Sequence, residues 1–277
     1  MFKSPKFVSM KTFVDKYIVQ NNIWVATCFT GLLLFFQLSF FEVLPSVLGI
    51  VFFGTLAVYN FTRIGSVKDF FQPESLKKNK VILTYIGALM TIICLVIRGF
   101  DVKTFMYLGV LGFISFCYVL PFSGLGLRFI PFIKLFLIGF IWAGSSIGLL
   151  LVVHHELVQY KLLFLSVFFF VVGITIPFDI RDEPADSPEL KTVPMLIGFR
   201  NSKRMALLLL ILSGLFFYID RRGPSLPLVS WWVALIFAAV LIVNTHQKKS
   251  FFYFSFWVES CSLIPLLAYL ILNSDFF

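Results

Sequence analysis

Charge is scarce in this sequence. Asp and Glu number 14 among 277 residues, and the four charged residue types together make only 13% of the chain. A soluble domain carries roughly twice that share, so water is not the solvent for most of this protein's surface. Cysteine is scarce as well. Cys28, Cys94, Cys117 and Cys261 all fall inside apolar runs and none forms a CxxC pair, which leaves no disulfide or metal-binding pattern. His154-His155-Glu156 lacks the HExxH spacing and reads as a polar loop. No cleavable signal peptide is evident. Met1 to Lys16 is polar and basic, and the first apolar run is already long enough to span a bilayer.

What the chain has instead is apolar length. Hydrophobic residues make 59% of it and the mean hydropathy is +0.95. Runs of about 18 or more apolar residues with few charges read as membrane spans. The pattern predicts spans near 18–38, 44–64, 81–98, 104–122, 131–153, 161–178, 204–220, 226–244 and 251–273. The expected fold is all-α: one domain over residues 1–277, a polytopic bundle of about nine transmembrane helices. Pro73, Gly124, Gly126, Pro184, Pro188, Gly223 and Pro224 punctuate the loops.

The net charge of +9 is not a nucleic-acid footprint, because the basic residues sit in short loops where they act as topology signals. With the N-terminus inside, 18 Lys and Arg fall on the inner side and 5 on the outer. This asymmetry predicts a multi-pass cell-membrane protein with a cytoplasmic N-terminus. The two longest loops, roughly 65–80 and 179–203, both fall inside, after the second and sixth spans.

The sixth span ends in chemistry. Asp179, Asp182 and Asp186 are spaced i, i+3, i+7 and share a face on a continuing helix. Crowded carboxylates repel unless a cation joins them, and Mg²⁺ takes oxygen ligands and bridges carboxylates to phosphates. The spacing therefore suits a Mg²⁺–diphosphate site at the membrane surface. The plainer reading is a solvated acidic loop, and Pro184 argues against an unbroken helix. Lys191 opens a basic, turn-containing segment through Thr192, Pro194 and Gly198 to Arg200, Lys203 and Arg204. Glu259 stands mid-span in the last apolar run, where an ionisable group is a functional candidate by default.

These residues resemble the UbiA superfamily of intramembrane prenyltransferases. That family has nine transmembrane helices and two Asp-rich motifs on the inner face, after helices two and six. Asp179, Asp182, Asp186, Lys191, Thr192, Pro194 and Gly198 match the second motif and the stretch after it. Tyr118, Pro121, Arg128, Pro131, Gly139 and Trp142 resemble the family more weakly around the fourth span. The first motif, NDxxDxxxD, departs from the pattern: Asn60 matches, but Phe61, Ile64 and Lys68 stand where Asp is expected. Either Arg63 and Lys68 replace the first metal, since a guanidinium grips phosphate without an ion, or diphosphate chemistry is lost and only the fold remains.

The resemblance implies transfer of a prenyl group from a prenyl diphosphate to an acceptor, lipid or aromatic, in the bilayer. It implies Asp179, Asp182 and Asp186 as Mg²⁺ ligands, with Tyr118 beside them in catalysis. It implies Asn60, Arg63, Lys68, Arg128, Lys134 and Lys191 as substrate-binding residues. A silent relative that binds a lipid or a partner, and a small-molecule transporter with Glu259 on its path, are the alternatives.

Overall fold

The computed structural model describes residues 13–64, 79–99, 101–119, 133–155, 160–184, 192–221 and 225–273, with backbone only at 118 and 119. Among these residues there is no strand. That follows from the sequence, because a chain this apolar must satisfy its backbone polar groups within each segment. Among the described residues, seven helices are long and apolar enough to cross a membrane. They are α1 (Ile23–Phe40), α2 (Pro45–Thr62), α3 (Asn79–Arg98), α5 (Ile133–Val153), α6 (Lys161–Asp182), α7 (Val193–Arg221) and α8 (Leu226–Asn244). The shorter apolar α4 (Val102–Val119) lies between α3 and α5. The last apolar run is divided into a π-helical stretch, Tyr253–Val258, and α9 (Ile264–Leu272), which carries Pro265 in its first turn, where a missing backbone N–H costs nothing.

The helices alternate in direction and close into a ring. Each packs on its sequence neighbour from α1 to α3 and from α4 to α9, and α9 returns to α1. The α3–α4 junction is the loosest link, although only three residues join the two helices. Asp101 caps α4 there, accepting from Thr104 Oγ1 at 2.5 Å and from the amides of Lys103 and Thr104. The Thr104 hydroxyl holds the Asp101 carboxyl below its ordinary range.

Close approach inside the ring depends on small residues. At Gly144–Gly148 the helix α5 takes a π turn, and Tyr107 of α4 donates to the Gly144 carbonyl at 3.0 Å. A Cβ on Gly148 would stand 2.1 Å from the Tyr107 hydroxyl, so the small residue admits the tyrosine. Between α2 and α3 the close neighbour is backbone instead of a side chain. A Cβ on Gly87 would lie 2.8 Å from the Phe53 carbonyl oxygen and 2.9 Å from the Ala57 nitrogen. Backbone cannot swing aside as a side chain does. Gly87→Ala is therefore expected to lower the melting temperature and the folded yield in detergent, whereas Gly109→Ala, in open space, is expected to leave both unchanged or raised. Thermal unfolding of the two variants side by side checks this.

Two boundaries differ from the sequence expectation in ways that matter for the site. Helix α6 runs through Pro177 to Asp182 rather than stopping near 178, which puts Asp179 and Asp182 on helical backbone. Helix α7 begins at Val193 rather than near 204, with a break at Gly198 (φ 75°, ψ 159°), a backbone conformation open to glycine. The segment around Pro194 and Gly198 is thus a bent helical entry.

Candidate functional site

One face of the ring gathers the beginning of α1, the end of α2, the beginnings of α3 and α5, the end of α6 and the beginning of the last run. Asn22, in the left-handed region at φ 60°, turns the π-helical segment Val14–Val19 into α1. Asn60 fixes this turn. It accepts from Asn22 Nδ2 at 3.1 Å and donates to the carbonyls of Asn21 (3.0 Å) and Leu56 (2.9 Å). The Asn60 side chain is fully buried and both its N–H donors are used. Its place is behind the site, holding the N-terminal segment over the face.

On the same face Lys134 of α5 reaches Asp179 of α6, Nζ to Oδ1 at 2.5 Å. The Asp179 side chain is 2% exposed, so this carboxylate is closed off by its lysine. Asp182, one turn on, is gripped by its neighbour Arg181, Nε to Oδ1 at 2.6 Å and Nη2 to Oδ2 at 2.9 Å. The Arg181 guanidinium in turn lies 5.2–5.5 Å from the ring centres of Phe178, Phe251 and Phe254. Aromatic faces and a carboxylate thus fix an arginine at the membrane edge.

Three cavities meet behind these groups. The first, about 630 Å³, lies beneath the N-terminal segment, with Lys16, Arg63, Lys80 and Glu259 among its walls. The second, about 350 Å³, carries Arg63, Lys134, Arg181, Asp182 and Glu259. The third, about 400 Å³, is almost wholly apolar and lies among α1 to α5. Tyr59 lines all three, and Trp142, which donates to the Tyr59 hydroxyl at 3.2 Å, lines the last two. The first two share Tyr59, Arg63, Phe178 and Glu259 as a common wall. The result is a polar antechamber, a cationic neck and an apolar chamber in series.

Of the residues expected from sequence, Arg63, Lys134 and Asp182 converge on the neck, while Asn60 and Asp179 support it from behind. Lys68, Arg128, Asp186 and Lys191, and the side chain of Tyr118, lie outside the described residues. No group of three or more His, Cys, Asp or Glu able to hold a metal is present among the described residues. Of the two described carboxylates expected to bind Mg²⁺, Asp179 is occupied by Lys134 and Asp182 by Arg181. Among the described residues, positive charge at the neck is supplied by the side chains of Arg63, Lys134 and Arg181. Sequence reasoning counted Arg181 only as a topology signal and passed over Tyr59. The one hint for Arg181 was its position between two aspartates in an otherwise apolar segment. Comparison of the chain with protein-family models, curated proteins and solved structures gives no significant match.

Proposed function

We propose that this chain is an intramembrane prenyltransferase of the UbiA type, with side-chain cations in the role that metal ions hold elsewhere in that family. In this reading the seven long helices, α4 and the last run make nine spans, and the cation-rich face is cytoplasmic. The observation that carries it is the row of adjoining cavities: a neck holding Arg63, Lys134 and Arg181 lies against an apolar chamber, with Tyr59 and Trp142 between them. That is the shape of a molecule with a multiply charged head and a hydrocarbon tail.

The chemistry follows from the placement. The diphosphate sits at the neck, where Arg63 offers fork geometry and Arg181 and Lys134, each also holding an aspartate, add positive charge. The bond from the first prenyl carbon to the diphosphate oxygen breaks, and its electron pair leaves with the phosphate. Fixed cations in a site shielded from water stabilise that developing charge. The faces of Tyr59 and Trp142 favour the allylic cation and exclude water from it. An acceptor entering through the antechamber bonds to that carbon and loses a proton to water at the mouth.

The test is binding of farnesyl diphosphate to the full chain in detergent, with and without Mg²⁺. Binding is expected without the ion, and Arg63→Ala is expected to weaken it about ten- to hundred-fold, the scale of one charge-assisted phosphate contact. Absence of binding under every condition would remove the prenyltransferase reading. One observation favours a second reading, a silent lipid-binding relative: both α6 aspartates are already paired with cations. That relative would bind the diphosphate and release it unchanged, so cleavage to inorganic diphosphate separates the two.

A further inference from the structure

Glu259 lines both the antechamber and the neck, and the mechanism above leaves it without work. It follows directly on the π-helical stretch Tyr253–Val258, a distortion of the kind that often marks functional positions. It is half-buried, and the surface it keeps faces both the antechamber and the neck. Its carboxylate has no hydrogen bond or ion pair to any other described residue. The charges that act on it are Arg63 and Arg181. Arg181 is already committed to Asp182, whereas Arg63 has no such anion among the described residues. Lys16 and Lys80 are the other cations on the antechamber wall.

A carboxylate placed this way is costly in an apolar bundle unless an opposite charge balances it. An anion bound at Arg63 draws on the same positive charge. Two negative groups sharing one guanidinium repel, so each weakens the other's hold by the same factor. Resting on the reading of the neck as a diphosphate site, we propose that Glu259 is a built-in rival of the diphosphate. In the empty protein it balances the charge of Arg63 and Arg181 across the cavity without pairing with either, and it yields them when a prenyl diphosphate, favoured by the fit of its tail, arrives. It takes them back once the tail has been transferred and only inorganic diphosphate remains. A cation clamp without such a rival holds its product, and product release limits turnover in many enzymes.

The rival predicts a gain of binding, which a merely structural residue does not give. Calorimetric titration of the full chain in detergent with inorganic diphosphate compares the parent with Glu259→Gln, Arg63→Ala and the double variant. Glu259→Gln is expected to bind about ten- to hundred-fold more tightly, the effect of one nearby charge at a partly screened site. In the Arg63→Ala background the same change is expected to gain less than about three-fold, because the shared cation has gone. Glu259→Asp, which keeps the charge, is expected to stay near the parent. If Glu259→Gln fails to fold, Glu259→Met carries the same expectation. Equal or weaker binding by a folded Glu259→Gln overturns the rival, and if the parent binds well in that experiment the diphosphate site stands without it. If the parent does not bind and Glu259→Gln does, the rival is supported directly. If neither binds, both ideas fall.

Discussion

Lys134→Met is expected to destabilise the protein by about 3 kcal/mol, or roughly 6–12 °C in melting temperature. The reason lies in the asymmetry of the pair. Asp179 is 2% exposed at its side chain and Lys134 is 25% exposed. Removing the lysine strands a charge that has no route to water, whereas removing the aspartate leaves a lysine whose stem can carry its head into the neck. Asp179→Leu alone is accordingly expected to cost less than Lys134→Met. The double variant Lys134→Met/Asp179→Leu is expected to recover most of the loss, because an apolar pair of similar volume substitutes for a buried ion pair with little penalty. Thermal unfolding in detergent, run at one scan rate, checks all three. Equal losses for the two single variants, or no recovery in the double, would show that the pair is not closed off as its geometry indicates. The recovered double variant has a second use. If Lys134 also contacts the diphosphate, this well-folded protein binds farnesyl diphosphate more weakly than the parent, which separates support of the fold from contact with the ligand.

Much of the architecture was legible in the sequence because apolar length is nearly all that membrane insertion requires. Helices α1, α2, α3 and α8 lie within a few residues of their predicted spans. Where the reading failed, charge was the cause. Arg181 and Asp182 lowered the hydropathy at the end of the sixth run, yet α6 continues beneath them. Arg200, Lys203 and Arg204 did the same at the start of the seventh, where α7 extends back to Val193 and its lysine caps a neighbour, Lys203 Nζ donating to the Val243 carbonyl at 3.0 Å. A helix leaving the bilayer keeps its backbone bonds after it loses its apolar side chains, and hydropathy cannot see that. In the last run the opposite occurred. An even apolar stretch concealed a π turn and a break at residues 261–263.

The site was legible only in part, for a different reason. The spacing of Asp179 and Asp182 points to the end of α6, and Asp182 lines the neck together with Arg63, the residue expected to stand in for a metal. Which carboxylate is open and which is closed depends on Lys134, 45 residues away from Asp179 in sequence. Likewise Asn60 faces Asn22, 38 residues back, and so braces the N-terminal segment instead of lining the neck. Local spacing carries face and period. It carries nothing about a partner on another helix.

On the proposed function, Gly112→Phe is expected to change which prenyl diphosphate the protein binds. Gly109 and Gly112 of α4 both line the apolar chamber, and a Cβ on either would meet nothing within 4 Å. The chamber follows α2 from Tyr59 to Ile50, about 14 Å at 1.5 Å per residue. Selectivity for tail length here does not come from burial as such. The tail's alternative home is the bilayer, which is as apolar as the chamber, so each added carbon gains little by moving from one to the other. It comes from overlap, because forcing extra carbon into filled space costs about 1–3 kcal/mol. A phenylalanine ring at position 112 fills part of the chamber beyond the neck and should weaken geranylgeranyl diphosphate about ten- to hundred-fold. Geranyl diphosphate, whose tail ends sooner, should bind as it does to the parent. Gly112→Ala is the control: it removes a helix-weakening glycine, adds one methyl group to open space, and should leave both affinities alone. Competition binding with the two diphosphates on the same preparation gives the ratio directly. An equal loss for both tails would mean that the ring disturbs the neck and not the chamber. No loss for either would mean that the tail lies elsewhere, and the apolar space among α1 to α5 would then have no part in the reading of this protein as a prenyltransferase.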